Sequence, residues 1–273
     1  MTLDAREMLI NFDPLTVNPL VLRATLEAML ENFGSTDTEL RERLIFPTFT
    51  KLIKEGFLTS EELSRTLTIC LDDNHLFFGI EKESDAVFVR ADSSSIISSL
   101  LEYNSAQTFL SLAELDEAIA RILLYLMREE DGRSYVEGRG WAHAVANGLD
   151  ILAVLALNPD VPVQRFPEFL TVIESCIFKK VAYFHHEGER AAAAVRAMMD
   201  RGMSLDALTT WMQQMATRLT ESFAASGFNY KFQCNNVNLL NFLKSLYFNF
   251  KKDGARLKLR VEVYNCIKSL QTI

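Results

Sequence analysis

Apolar residues recur every three or four positions along most of the chain, and this spacing restricts the fold more than any other feature of the sequence. The clearest stripe runs from Leu112 to Leu126 and follows a capping box formed by Ser111 and Glu114. No pair of alternating runs flanks an Asn-Gly turn, and only 11 Gly and 6 Pro are present to build irregular segments. The pattern therefore predicts an all-α protein.

The apolar stripes divide the chain into about eleven predicted helices. These span residues 19–33, 35–56, 59–71, 85–103, 111–126, 140–157, 167–184, 187–201, 205–224, 236–250 and 255–270. Consecutive pairs recur at about 45 residues, close to the period of HEAT-like arrays. We therefore expect a right-handed α-α superhelix of HEAT-like repeats, with a closed helical bundle as the alternative. Residues 1–273 are predicted to form a single all-helical domain that ends in helical pairs over 205–273.

The formal net charge of −8 argues against a protein that neutralises the phosphates of nucleic acid. One local basic cluster lies near the C-terminus. It consists of Lys251, Lys252, Arg256, Lys258 and Arg260. Because basic residues are favoured near the end of a helix, we interpret this cluster as a helix end with a solvated face. No nucleic-acid partner is predicted.

The cysteines and the apolar segments bear on the compartment. Cys70, Cys176, Cys234 and Cys266 form no closely spaced pair, which indicates buried free thiols in a reducing compartment instead of a zinc ribbon or a redox dithiol. The first nine residues lack the basic start and apolar run of a secretory signal. The most hydrophobic window, 141–163, contains too many polar residues to span a membrane. We expect a cytoplasmic protein with no membrane partner.

The densest chemistry of the sequence lies between Glu129 and Asp150, where a charged loop runs into the predicted helix 140–157. On that helix, His143, Asn147 and Asp150 fall within about 60° of one another, and the other faces are apolar. A helix that is apolar nearly all round is a buried helix. Its narrow polar stripe must find partners, because a buried polar group without a hydrogen bond is costly.

Two interpretations of this polar stripe remain open. In the first, loop residues satisfy it and Arg133 pairs with Asp150 or Glu129, so that the stripe only holds a helix pair in register. In the second, the stripe lines a pocket between the central helix and residues 85–90, and the pocket binds a small ligand or performs acid–base chemistry. The candidate ligand-binding residues are Asp85, Arg90, Glu129, Asp131, Arg133, Trp141, His143, Asn147 and Asp150.

Metal binding is not predicted, because Asn147 stands where a second imidazole would complete a helical metal pair with His143. No cofactor is predicted either, and no motif identifies catalytic residues. Two further histidines, His185 and His186, open a charged helix start near the central segment. We assign them surface or helix-capping roles.

The central segment carries a resemblance to a known family. The run Gly140-Trp141-Ala142-His143-Ala144-Val145-Ala146, with Gly148 and Asp150, resembles the signature of a bacterial family catalogued as domain of unknown function 2785. The same pattern is carried upstream by Tyr125, Leu126, Glu129, Asp131 and Arg133, by residues 75–77, by Asp85, Val87, Phe88 and Arg90, and by Gly34, Asp37, Leu40 and Arg41. The resemblance covers roughly residues 30–200 and a tail around 241–248. It implies an all-helical bacterial protein without an established activity.

The chain departs from the family pattern at three places. Asn147 stands where the pattern has a second His, so a site built on paired imidazoles would be altered here. Ala91 and Asp92 replace a Ser-Phe pair, and residues 132–134 replace Leu-Arg-Gly. These substitutions affect the same region as the candidate site.

Two functional hypotheses follow, and the sequence does not decide whether the protein is an enzyme. The first is a helical-repeat interaction or scaffold protein that binds a protein or peptide on a concave face, with the polar stripe fully paired. The alternative is a small-ligand-binding protein or hydrolytic enzyme with a polar pocket around His143 and Asp150. It predicts that Arg90, Glu129, Asp131, Arg133, His143 and Asp150 converge on one accessible cavity.

Overall fold

Helices follow one another through residues 5–250 and 257–271, which are the residues described by the structure, a computed structural model. The α-helices of these ranges are α1 (Ala5–Ile10), α2 (Pro19–Glu31), α3 (Phe46–Lys54), α4 (Ser60–Cys70), α5 (Ala86–Ala106), α6 (Leu112–Arg128), α7 (Ala144–Leu157), α8 (Phe166–Ile177), α9 (Glu187–Asp200), α10 (Leu205–Ser226), α11 (Tyr230–Asn249) and α12 (Leu257–Leu270). A π-helix spans Glu39–Ile45 and a 3-10 helix spans Val163–Arg165. Strands β1 (Tyr135–Val136) and β2 (Gly140–Trp141) form an antiparallel hairpin. The all-α prediction is confirmed.

Side-chain caps explain where several helices begin. Ser111 precedes α6 and accepts a hydrogen bond from the Glu114 backbone N–H at 3.3 Å, while the Glu114 carboxylate accepts one from the Ser111 N–H at 2.7 Å. Thr59 and Glu62 form the same capping box before α4. Each box satisfies backbone donors that a helix start leaves without partners, so both helices begin where the sequence predicts.

Helices that are adjacent in sequence pack as hairpins, and the hairpins pack side by side. The pairs α4–α5, α6–α7, α8–α9 and α10–α11 are in contact. One member of each pair also contacts the corresponding member of the next, so that α3, α5, α7, α9 and α11 form a continuous row. Helix α7 lies in the middle of this row, between α5 and α9. Its near-uniform apolar surface is buried, as the sequence predicts.

Several predicted boundaries are wrong for identifiable reasons. Helix α7 begins at Ala144 instead of Gly140, because Gly140 and Trp141 pair with β1. Strands of two residues are too short to give an alternating pattern. The helix predicted over 35–56 is divided into the π-helix and α3. Helix α8 ends at Ile177, well before residue 184, and the segment after it is a loop.

The loop after α8 is held by a side chain that is distant in sequence. Asn238 of α11 accepts a hydrogen bond from the Tyr183 N–H at 2.8 Å. Its amide nitrogen donates to the carbonyls of Ile177 and Val181 at 3.1 and 2.8 Å. Because Asn238 supplies the partners that a continuing helix would otherwise supply, this segment is stable without helical structure. The apolar periodicity of the segment alone carries no sign of this contact.

The four cysteines are buried and have free thiols. Burial raises the pKa of the Cys176 thiol to about 12 and also raises the pKa of Cys70 and Cys266. Of the basic cluster near the C-terminus, Lys258 and Arg260 lie in the first turn of α12, not at the end of a helix. Lys251, Lys252 and Arg256 lie outside the described residues. In the described part of the chain, no helix has both the length and the apolar character needed to cross a membrane.

Candidate functional site

An open cavity of about 430 Å³ lies between α5 and α7. Four of the predicted site residues line it. They are Trp141, His143, Asn147 and Asp150. The wall is completed by Arg41 and Glu42 of the π-helix, by Asp92 and three serines of α5, and by Arg190 of α9. Its volume is within the range of cavities that hold small molecules.

His143 occupies the N-cap position of α7 with a left-handed backbone, at φ 54°. This region is uncommon for residues other than glycine, and such residues concentrate at functional sites. The imidazole packs on the Trp141 indole, with the ring centres 4.6 Å apart. Its Nε2 atom is buried and has no hydrogen-bond partner among the described residues. Burial, helped by the positive charge of Arg190, lowers the pKa of His143 to about 4, so the ring is neutral at pH 7.

Trp141 is held at the mouth of the cavity by the β-hairpin. Its indole contacts the rings of Tyr135 and His185, with ring centres 5.1 Å away in each case, and 41% of the residue is exposed. The Trp141 backbone N–H donates to the Glu42 carboxylate at 3.1 Å. The hairpin therefore aligns an aromatic side chain with the cavity and also fixes one carboxylate of its wall. His186 caps α9 with a second left-handed backbone and is exposed, as the sequence predicts.

Asn147 and Asp150 connect α7 to its two neighbouring helices. The Asn147 side-chain nitrogen donates to the Ala91 carbonyl at 3.1 Å and to the Ser95 hydroxyl at 2.8 Å, both on α5. The Asp150 carboxylate accepts a hydrogen bond from the guanidinium of Arg190 on α9. The predicted pairing of Asp150 with Arg133 is wrong. Because Arg190 is forty residues away in sequence, no local pattern identifies it as the partner.

Four other predicted residues lie together in a separate buried network. Arg90 makes a bidentate ion pair with Glu129 at 2.6 and 2.9 Å, and both side chains are fully buried. The Glu129 carboxylate also accepts from the Asp131 N–H at 2.9 Å, and Asp131 pairs with Arg133 at 2.6 Å. This network does not line the cavity. The predicted convergence of Arg90, Glu129, Asp131 and Arg133 with His143 and Asp150 on one cavity is therefore wrong.

The position of Arg90 on α5 explains the separation. Each residue of a helix is rotated by about 100° from the one before it, so residues two positions apart point to nearly opposite sides. Arg90 therefore faces the interior and Glu129, whereas Asp92 faces the cavity. Asp85, the remaining predicted residue, is exposed and pairs with Arg139 at the turn of the hairpin, outside the cavity.

Asp92 is the most consequential residue that the sequence prediction missed. Its Oδ2 atom accepts a hydrogen bond from the Gly34 N–H at 2.7 Å, and its Oδ1 atom lies 3.8 Å from Nε of Arg41. Burial raises the pKa of Asp92 to about 7, because these two contacts offset only part of the cost of removing the charge from water. The departure from the family pattern at residues 91–92 was the signal that could have identified it.

Arg41 is fixed in place by its contacts. Its guanidinium donates to the Arg139 carbonyl and to the Glu42 carboxylate, both at 2.8 Å, and lies over the ring of Phe88. Only 2% of Arg41 is exposed. The residue thus holds the π-helix against the hairpin and has little capacity left for a ligand. Gly140 makes this approach possible, since a Cβ atom there would lie 2.5 Å from the Glu42 carboxylate.

No three or more His, Cys, Asp or Glu side chains form a group that could hold a metal ion in the described ranges 5–250 and 257–271. The cavity instead presents single groups of different chemistry. It contains a neutral imidazole, an amide, serine hydroxyls, carboxylates and guanidinium groups. This arrangement can bind a small polar molecule by hydrogen bonds and charge.

The fold and the cavity define an all-α protein of stacked helical hairpins with a polar pocket beside its central helix. The chain belongs to the family described as "Protein of unknown function (DUF2785)", whose model matches residues 76–248. The predicted family membership is thereby confirmed. The match begins later than the predicted region 30–200, so the π-helix wall lies outside it, and it ends at residue 248, so that it includes the predicted tail around 241–248. No curated protein and no solved structure matches the chain.

Proposed function

We propose that the protein binds a small polar ligand in the cavity between α5 and α7. The unpartnered Nε2 atom of His143, buried in the wall of an open cavity, is the observation that carries this proposal. A buried polar atom without a hydrogen bond is rare in native proteins, because its desolvation is not repaid. A ligand that donates or accepts a hydrogen bond at Nε2 would supply the missing partner.

The buried network of Arg90 and Glu129, which makes a structural contact away from the cavity, also supports this proposal. This ion pair already connects α5 to the loop after α6, and both of its charges are fully paired. The cavity residues take no part in that contact, although Asn147 and Asp150 make their own bonds from α7 to α5 and α9. Their exposure to solvent and their unused hydrogen-bonding capacity are typical of a binding site.

A comparison of two variants tests the proposal. Glu129→Ala should lower the free energy of unfolding by about 3–5 kcal/mol, because it leaves the Arg90 charge buried without a partner. His143→Ala should change the free energy of unfolding by less than about 1 kcal/mol, since it removes no hydrogen bond. Urea unfolding measures both. A loss for His143→Ala as large as that for Glu129→Ala would show a structural role and contradict the proposal.

Ligand binding itself is tested with a chemically diverse set of small molecules. We expect members of the set to raise the Tm of the wild-type protein, because a ligand that binds only the folded state stabilises it. The same compounds should have no effect on His143→Ala or Asp150→Asn. Increases in Tm that persist in both variants would show that the compounds bind outside the cavity.

A second proposed function is the binding of a protein or peptide, which one other feature favours. A groove of about 600 Å³ lies along α9 and α11, with the exposed aromatic rings of Phe184 and Phe248 beside it. The side-by-side hairpins also fit the proposed right-handed HEAT-like superhelix and single domain. Selection of peptides from a random library on the wild-type protein, followed by measurement on Phe184→Ala and Phe248→Ala, tests it. Peptide affinity unchanged by either substitution would contradict this function.

A further inference from the structure

Resting on the proposed function, we infer that the cavity takes a small organic amine, whose ammonium group lies beside Asp92 and Asn147. This assigns a ligand class to the site. The balance of charge in the wall, the free hydrogen-bonding atoms and the aromatic mouth all favour such a ligand.

The charges of the wall do not cancel. Three carboxylates, from Glu42, Asp92 and Asp150, face the cavity together with the two guanidinium groups of Arg41 and Arg190. Glu42 pairs with Arg41 at 2.8 Å, and Asp150 pairs with Arg190. Asp92 is left with Arg41 at 3.8 Å, beyond hydrogen-bond distance. One negative charge is thus incompletely compensated, and a cation of the ligand would compensate it.

The free hydrogen-bonding atoms are mainly acceptors. Among the described residues, Oδ1 of Asp92 and Oδ1 of Asp150 accept no hydrogen bond from a protein donor, apart from the distant contact of Asp92 with Arg41. Asn147 uses its nitrogen for two bonds to α5, which leaves its oxygen without a protein donor. An ammonium group has three donors and no acceptor, so it complements such a surface.

The contacts place these acceptors near one another. Asn147 is hydrogen-bonded to the carbonyl of Ala91, the residue that immediately precedes Asp92 on α5. Arg41 connects the same region to Trp141, since it lies 3.8 Å from the Asp92 carboxylate and 3.5 Å from the Trp141 carbonyl. Asp92, Asn147 and Trp141 therefore line the same cavity and are linked through neighbouring backbone groups.

The aromatic mouth and the neutral imidazole also favour a cation. Trp141 is partly exposed, and the π-system of an indole attracts positive charge. His143 is uncharged at neutral pH and does not repel a cation. A carboxylate ligand would instead meet three carboxylates, and Arg41 is already committed to protein oxygen atoms.

The experiment uses the full chain with four probes of similar size: n-butylamine, 1,4-diaminobutane, n-butanol and butyrate. The sequence contains two tryptophans, so the indole N–H region of a ¹H–¹⁵N NMR spectrum should show two signals. Trp141 reports on the cavity, and Trp211, buried at the contact with Phe242, is the internal control. Substitution Trp141→Phe assigns the signals.

At pH 8 we expect the two amines to shift the Trp141 signal in a saturable manner and to leave Trp211 unchanged. Asp92→Asn should weaken amine binding at least tenfold, because it removes the charge and keeps an oxygen that can accept from Gly34. Asp206→Asn, an exposed residue in the first turn of α10, makes the same change of net charge far from the cavity and should have no effect. An unchanged Trp211 signal shows that the variants are folded.

The wild-type protein provides a measurement that needs no substitution. Amine binding should weaken as the pH falls from 8 to 6, because Asp92 becomes protonated while alkyl amines remain charged. Arg41 and Glu42 of the π-helix are the charged groups that act on Asp92, and the Cys70 thiol of α4, which burial keeps protonated, also interacts with it. Asp150 of α7 and Arg190 of α9 face the same cavity, and His143 is neutral throughout this range.

The outcomes separate this inference from the proposed function. A Trp141 shift with butanol or butyrate but not with the amines would overturn the amine inference and leave the ligand-binding proposal intact. Amine binding that is unaffected by Asp92→Asn and by pH would also overturn it. If none of the four probes shifts Trp141, the amine inference fails, and the diverse compound set decides the proposed function independently.

Discussion

Asp92 and His143 face the same cavity and respond to pH in opposite directions. The pKa of Asp92 is raised to about 7, so the folded protein binds its proton more tightly than the unfolded chain does. The pKa of His143 is lowered to about 4, so the unfolded chain binds that proton more tightly. Asp92 therefore destabilises the fold as the pH rises from about 4 to 7, and His143 destabilises it as the pH falls from about 6.5 to 4.

The Asp92 contribution leads to a prediction for the protein without ligand. Asp92→Asn should raise the free energy of unfolding at pH 8 by about 1–3 kcal/mol, because no buried charge remains, with some reduction of the effect by nearby water. At pH 4 the carboxyl group is neutral in the folded protein and about half neutral in the unfolded chain, so most of the advantage should be lost. Urea unfolding at the two pH values measures this difference.

Asp206→Asn is the matched control for this stability measurement, since the side chain is exposed in the first turn of α10. This substitution should not raise the free energy of unfolding at pH 8. A wild-type protein more stable than Asp92→Asn at pH 8 would show that Arg41 and Gly34 fully compensate the Asp92 charge.

Residue chemistry also shows how far sequence reasoning reaches into the site. Trp141, His143, Asn147 and Asp150 could be found because they stand out in an apolar segment. Arg41 and Arg190 could not be assigned to the site, although the family pattern includes Arg41, because both enter the cavity only through the packing of other helices. Arg90 does not line this cavity, because it lies two positions from Asp92 on α5 and its side chain points to the opposite side of the helix.

Among the secondary-structure elements, the π-helix and the hairpin determine the shape of the cavity mouth. π-Helices are rare and often occur at functional sites. This one carries Arg41, which donates to a carbonyl of the hairpin, and Glu42, which accepts from a backbone N–H of the hairpin. The capping boxes of α4 and α6 could be predicted because they depend on neighbours in sequence. The π-helix could not, since it forms together with a hairpin about one hundred residues away.

Two glycines of the hairpin allow the contact between the hairpin and the π-helix to be tested. Gly140 and Gly138 both have positive φ, at 82° and 74°. A Cβ atom at Gly138 meets nothing within 4 Å, whereas one at Gly140 would clash with Thr38 and Glu42. Gly138→Ala should cost only the backbone strain, about 1–2 kcal/mol. Gly140→Ala should cost clearly more in urea unfolding and should also shift the Trp141 indole signal.

The difference between the two hairpin variants isolates the contact with the π-helix. Equal losses of stability for Gly138→Ala and Gly140→Ala would mean that the docking contributes nothing to the folded state. A disturbed Trp211 signal in either variant would indicate a general loss of structure instead of local undocking.

For the whole molecule, the two tryptophans pack against different members of the row from α3 to α11. Trp141 packs on His143 at the start of α7, and Trp211 of α10 packs on Phe242 of α11. If residues 1–273 form the single domain that we propose, Trp141 and Trp211 should lose their folded NMR signals at the same urea concentration. Coincident transitions of separate probes are the test of a cooperative unit. Loss of one signal well before the other would divide the chain into two units.

The order of the helices could be predicted from the sequence, because hairpins of neighbouring helices require only local periodicity and short loops. The packing between hairpins could not. Gly188 shows why: α9 approaches α11 so closely there that a Cβ atom would lie 2.9 Å from the backbone nitrogen of Phe242. Its partner is more than fifty residues away, and in the sequence it is only one glycine in a charged helix start.

The buried cysteines make the protein convenient for chemical labelling. Thiol reagents attack a thiol that is both ionised and accessible. Burial raises the thiol pKa of Cys70 and Cys176 and also keeps reagents away from them. A cysteine introduced at Ser98, in the wall of the cavity, would therefore react against a low background without removal of the native thiols. Its rate of modification would report directly whether the cavity is occupied, whichever molecule fills it.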